Sequence, residues 1–189
     1  MFKLLEHYLK SIADIDQRSL DTIFSKFSLI KTSRNQILLD YDEVCKNHYF
    51  VNKGGVRVYT VTREGCESIR YFALQGEFGT ALPSLIEQKP AFEYLQTIEK
   101  SELLTISRAD FYLLVDQIPA FALVYRRILE KGFIVAQKRI YGFQGLTAME
   151  KVIWIKSHQP RFLLRVSNKM AASYLGMSPS TLSRIKAKL

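Results

Sequence analysis

The sequence predicts an α+β chain, with an antiparallel β barrel or roll between helical segments, then one long helix and a compact helical module. Three observations lead there. Short alternating apolar runs are confined to residues of about 27–110, helical spacing flanks them, and the basic charge lies in the last third of the chain. The chain has 189 residues and a net charge of +9, enough for one domain or two small ones with a real core. Hydrophobic residues at 48% and aromatics at 12% exclude a disordered chain. Apolar runs such as Ile134-Val135-Ala136 are too short to span a bilayer, and the N-terminal stretch has no signal-peptide apolar block. Two cysteines, Cys45 and Cys66, read as small buried hydrophobes; with three scattered histidines they support no disulfide framework, zinc module or iron–sulfur cluster. The expectation is a soluble, cytoplasmic protein.

The N-terminal region reads as helical over residues 2–26, with Leu4, Leu5, Tyr8, Leu9 and Ile12 on one stripe and a turn-like stretch at Asp14 to Gln17. Strands follow at Gln36–Leu39, His48–Val51, Tyr94–Ile98 and Glu102–Ile106, with a hairpin over 55–73 turning at Arg63-Glu64-Gly65. Strands at such close spacing favour an antiparallel barrel or roll over a βαβ fold.

Residues 108–143 turn helical again, broken at Ile118-Pro119. The longest helix, Ala120 to about Phe143, places Phe121, Val124, Ile128 and Val135 near one stripe, with Gly132 beside it. Twenty-four helical residues extend roughly 36 Å. Such a seam either dimerises with a second copy or packs back on the barrel, and periodicity leaves both open.

The charge divides sharply. Residues 1–115 hold 14 basic against 15 acidic side chains, whereas residues 116–189 hold 13 against 3. A mixed-sign half joined to a basic half fits a sensing or scaffolding part joined to one that faces a polyanion.

The C-terminal module begins after the hinge-like pair Gly142 and Gly145. Thr147 and Glu150 form a capping-box pattern for a helix that ends at His158-Gln159-Pro160. Ser167 or Asn168 caps a further helix with Met170, Ala171 and Leu175 inward, and Gly176 ends it. Ser178 then caps a second helix with Pro179 at its first position and Leu182, Ile185 and Leu189 inward. Its outer face is polar and then basic: Ser180, Thr181, Ser183, Arg184, Lys186 and Lys188. This is a helix-turn-helix pattern, whose second helix suits a DNA major groove. Arg184 offers a bidentate fork for guanine, Ser180 and Ser183 are short donors, and Thr181 and Lys169 suit phosphate.

The stretch ASYLGMSPSTLSRIK resembles a form common in the Bacteroidetes-type branch of the Crp/Fnr superfamily of transcription regulators. YFVNKGGVRVY resembles that family's YFI-x-x-G-x-V-R segment, and LQGEFG at 74–79 its Gly-Glu ligand element. The resemblance covers nearly the whole chain. It implies a cyclic-nucleotide-binding-type β-roll (a cupin-like double-stranded β-helix) over 1–115, a dimerisation helix and hinge over 116–143, and a helix-turn-helix domain over 144–189. It also implies a bacterial homodimer on double-stranded DNA, with RNA polymerase and a small-molecule effector as further partners.

Two departures from the family pattern stand out. Gly76, Glu77 and Phe78 match the ligand element, but no arginine occurs from 71 to 107, and Lys89 is the nearest substitute cation before Lys100. A buried phosphate without a fixed cation is poorly compensated, so cyclic AMP binding is expected to be weak or absent, with Glu77 structural at a turn. The β-hairpin wing of many relatives is also missing after Leu189, so fewer phosphate contacts are expected.

Other function classes fare worse. An enzyme of the cupin-like kind needs converging histidines, and His48 has no His-x-His partner. No phosphate loop, nucleophile elbow or metal set occurs, so neither enzyme activity nor a cofactor is expected. A membrane surface needs a strong apolar face opposite the basic one, which short capped helices do not offer. The alternative function is a ligand-binding or protein-interaction roll with a non-specific DNA-binding tail.

Overall fold

The computed structural model describes residues 1–160 and 162–189. They form two compact units, one of residues 1–59 with 71–131 and one of residues 60–70 with 132–189.

The first unit opens with helices α1 (Lys3–Lys10) and α2 (Gln17–Ser25), the latter capped by Asp16, whose carboxylate accepts the Ser19 N–H at 2.9 Å. Strands β1 (Ser28–Thr32), β2 (Ile37–Leu39), β3 (Asn47–Lys53), β4 (Gly55–Val61), β5 (Glu67–Leu74) and β6 (Phe78–Gly79) follow. A short helix α3 (Leu82–Glu87), strands β7 (Tyr94–Thr97) and β8 (Ser101–Ser107), helix α4 (Arg108–Gln117) and the long helix α5 (Pro119–Gly145) come next. The strands build two antiparallel four-stranded sheets, in the orders β1-β8-β3-β6 and β2-β7-β4-β5. Except at the β4–β5 hairpin, the chain therefore passes from one sheet to the other between strands that are neighbours in sequence, as a roll requires. β1, β6 and α3 lie outside the strand and helix expectations drawn from periodicity, because elements of two to six residues are too short to show a period.

Alternation along each strand separates two cores. Val51 and Leu103 of one sheet pack with Leu39, Val56, Val58 and Leu95 of the other. Their neighbours Phe50 and Leu104 point the opposite way, into a second core with Leu5, Leu9, Leu20, Ile23, Phe111 and Leu114 of the helices. Gly54 links β3 to β4 at φ +90°, and a Cβ there would fall 2.9 Å from the Ser101 Cα, so both the turn and the close approach demand glycine. Arg57 is buried, donates Nε and Nη2 to Gln96 Oε1 at 2.9 and 2.7 Å, and lies 4.0 Å over the Tyr59 ring.

The second unit contains α6 (Ala148–His158), α7 (Phe162–Arg165), α8 (Asn168–Leu175) and α9 (Pro179–Lys186), together with the second half of α5 and the β4–β5 turn. Thr147 and Glu150 close the expected capping box at the start of α6. Its core holds Val152, Ile155, Phe162, Ala171, Ala172, Tyr174, Leu175, Leu182 and Ile185.

Three sequence expectations need correction. Cys66 is exposed in the β4–β5 turn, while Cys45 is buried, because the turn leaves the sheet's interior at Val61. Leu189 is 50% exposed, since α9 ends at Lys186 before its stripe returns to the core. Met170 is only half-buried, and Ala172 and Tyr174 take the inward places beside Ala171 and Leu175.

Candidate nucleic-acid interface

The site is assembled from local capping chemistry. Ser167 caps α8 by accepting the Met170 N–H at 3.2 Å. Gly176 ends the helix at φ +66°, which lets the Met177 N–H reach back to the Ala172 carbonyl at 3.0 Å. One residue further on, Ser178 caps α9, its hydroxyl accepting the Thr181 N–H at 3.1 Å, and Pro179 occupies the first helical position. The turn between the two helices is therefore short and determined at every residue.

Packing then sets the angle. Buried Ala171 and Ala172 of α8 and Leu182 and Ile185 of α9 bring the helices together. Asn168, at the N-terminus of α8, donates Nδ2 to both the Pro179 carbonyl and Ser183 Oγ, each at 3.0 Å. The sequence offered Asn168 only as an alternative cap. Its role as a tie across the turn depends on a crossing of helices that spacing does not reveal.

The outward face follows. Lys169, Ser178, Pro179, Ser180, Ser183, Arg184, Lys186 and Lys188 are exposed and Thr181 is half-buried. Ser180 and Arg184 lie one turn apart on the same face of α9. The Ser178 hydroxyl meets those of Ser180 and Thr181 at 2.9 and 2.8 Å, so the helix start presents a cluster of small donors and acceptors. Among the described residues no carboxylate pairs with Lys169, Arg184, Lys186 or Lys188. A capped helix of this kind can enter a groove about 12 Å wide and offer polar, cationic side chains to bases and phosphates.

The residues singled out in the roll do not converge. Gly76 makes a turn at φ +88°. The Glu77 carboxylate accepts the Leu74 N–H at 3.0 Å and lies 3.7 Å from Lys131 Nζ. Phe78 is buried in an aromatic group with Tyr8, Phe50 and Phe111. The Lys89 side chain is 75% exposed and pairs with Glu87 at 3.4 Å. Among the described residues no group of three or more His, Cys, Asp or Glu side chains could hold a metal.

The α5 seam also divides. Phe121 and Val124 are fully buried in the protomer's own core, with Ile128 packed against it, so the first two cannot form a seam with a second copy. Val135 is half-buried, and Gly132 is exposed with nothing within 4 Å of a Cβ placed there. The outward apolar residues are instead Phe133, Ile134, Ile140 and Tyr141, which are 65%, 51%, 48% and 70% exposed. They pair at intervals of seven, a stripe the expected seam missed because burial by the roll is not visible in helical period alone.

These features define a class: a β-roll domain followed by a long helix and a helix-turn-helix. Residues 29–117 match the cyclic nucleotide-binding domain family, and the chain as a whole has the fold of Crp/Fnr-family transcription regulators. Its structure is similar to FixK2 from Bradyrhizobium japonicum, at 21% identity over 86% of this chain and 84% of that one, TM-score 0.76. It is also similar to CLP, a c-di-GMP-responsive global regulator from Xanthomonas campestris, at 16% identity over 92% and 91% of the two chains, TM-score 0.73. A Crp/Fnr-family regulator from Eubacterium rectale follows at 14% identity over 93% and 83%, TM-score 0.69. No curated protein sequence matches the chain significantly. Among the described residues no helix is long and apolar enough to cross a membrane.

Proposed function

We propose that this protein is a non-enzymatic transcription regulator of the Crp/Fnr type that binds a near-palindromic duplex operator as a homodimer. The observation that carries the reading is the outward face of α9. It is capped, exposed, cationic and free of carboxylate partners among the described residues, on a helix-turn-helix with a tightly determined turn. Each protomer places residues 178–188 in one major groove, with the two half-sites about 34 Å apart. Arg184 reads a guanine, and Lys169, Lys186 and Lys188 contact phosphate. The stripe of Phe133, Ile134, Ile140 and Tyr141 on α5 supports pairing with a second copy.

The test is fluorescence-anisotropy titration of duplexes selected from random DNA, at two salt concentrations. Arg184→Ala is expected to weaken binding to the selected operator by about 1–3 kcal/mol while leaving non-specific binding nearly unchanged. Equal, wholly salt-driven binding by both proteins refutes sequence-specific recognition.

The roll acts as a sensor without binding cyclic AMP in the usual way. Glu77 is already engaged by the Leu74 N–H and Lys131, and no arginine stands between 71 and 107. Calorimetric titration with cyclic AMP and cyclic GMP is expected to give no saturable heat at micromolar ligand. Saturable binding abolished by Glu77→Ala contradicts this.

A further inference from the structure

Residues 60–70 belong to the same compact unit as the C-terminal helices, and two side chains make the join. Ser173 of α8 donates its hydroxyl to the Glu67 carbonyl at 2.8 Å and accepts the Ile69 N–H at 3.0 Å. β5 is the last strand of its sheet. Residues 67 and 69 are alternate residues, whose backbone groups face the same edge of the strand. A single side chain of α8 thus stands where a further strand would pair.

Arg139 of α5 completes the clasp. Its Nη2 donates to the Ile69 carbonyl at 2.7 Å and to the Tyr174 carbonyl of α8 at 3.2 Å, and its Nη1 to the Arg70 carbonyl. The guanidinium lies 4.3 Å over the Tyr174 ring and 4.9 Å over the Phe143 ring. Three carbonyls, two of them on β5, accept from its two terminal nitrogens, Nε has no hydrogen-bond partner among the described residues, and burial pulls its pKa below the ordinary value. The contacts tie α5, the hairpin and the first helix of the helix-turn-helix into one body.

Lys169 and Ser173 are four residues apart, so they share one face of α8 with about 5–6 Å between their Cβ atoms. The first helix of a helix-turn-helix crosses the phosphate backbone of its duplex. A hairpin seated on Ser173 therefore lies one turn from the lysine that would meet phosphate. Its turn also carries Glu64, an exposed carboxylate of the same sign as phosphate.

We propose that this clasp is an autoinhibitory latch, in which the β4–β5 hairpin restrains α8 and must release it for full engagement of duplex DNA. The proposal rests on the DNA-binding reading above. It makes residues 66–70 of the hairpin a direct part of the switch.

The test compares Ser173→Ala, which removes both hydroxyl bonds, with Ser173→Thr, which keeps a hydroxyl at that place. Two quantities are read on the full chain: amide hydrogen exchange at residues 67–70 without DNA, and affinity for the operator duplex selected with wild type. Ser173→Ala is expected to speed exchange at the Ile69 amide by about fivefold or more and to raise operator affinity several-fold. Ser173→Thr should stay near wild type in both. Arg139→Lys, which keeps the charge but loses the forked bonding, should move both in the same direction as Ser173→Ala. Unchanged exchange in Ser173→Ala shows that the clasp does not exist in solution. Faster exchange with equal or lower affinity shows a structural contact without inhibition. Either result overturns the latch while leaving operator binding by wild type intact. If wild type selects no operator, the DNA-binding reading and the latch built on it both fall.

Discussion

His48 sits in the core of the first unit, 3% exposed, with its ring stacked on Phe111 at 3.9 Å between centroids. Among the described residues its Nε2 has no hydrogen-bond partner, and burial holds its pKa down at about 3. The unfolded chain takes up this proton near pH 6.5, so below that pH the unfolded state binds more protons and stability declines. The loss grows as pH falls toward the folded-state value and reaches roughly 3 kcal/mol near pH 4. His48→Phe keeps a stacked ring without a titratable nitrogen. Urea unfolding at pH 7 and pH 4 is expected to show a clearly smaller stability loss in the variant than in wild type. An equal loss in both proteins would assign the acid sensitivity to other groups.

At the scale of the element, the helix-turn-helix combines strong local signals with one long-range tie. Ser167, Gly176, Ser178 and Pro179 set the helix ends by chemistry within three or four residues, and all four act as their residue types require. Asn168 acts across the turn, where its amide holds the Pro179 carbonyl and Ser183 Oγ. Asn168→Ala is expected to lower the stability of the C-terminal unit by about 1 kcal/mol and to loosen the angle between α8 and α9. Faster amide exchange in α9 and weaker operator binding, with exchange in β3 and β8 unchanged, are the signatures to measure. Exchange in α9 identical to wild type would show that the packing of Leu182 and Ile185 suffices alone.

At the scale of the whole molecule, the long helix serves two roles along its length. Its first turns give Phe121 and Val124 to the core beneath the roll, and its later turns expose Phe133, Ile134, Ile140 and Tyr141. A helix of 27 residues extends about 40 Å, which is long enough for both. Replacing Ile134 and Tyr141 together by aspartate is expected to give a monomer in sedimentation velocity. Operator affinity should fall at least about tenfold, because two half-sites are then bound independently. A dimer that survives this change would place the interface elsewhere.

Much of this organisation was legible in the residues. Helix ends at Thr147, Ser167 and Ser178, the turn within Asp14 to Gln17, the hairpin about Gly65, and the break at Pro119 follow from groups only a few residues apart, so the chain announces them locally. The outward polar and basic face of α9 follows from the same short-range period. What the sequence left open on α5, the tertiary structure decided: Phe121 and Val124 turn inward because the roll offers them an apolar surface, a fact carried by residues far away in the chain. It likewise turned the Glu77 carboxylate to the Leu74 N–H and Lys131, and set Ser173 and Arg139 against the edge of β5. Local hydrogen-bonding chemistry determines where helices begin and end. Which groups meet across the fold depends on burial and on unpaired backbone at a sheet edge, and neither exists until the chain has folded.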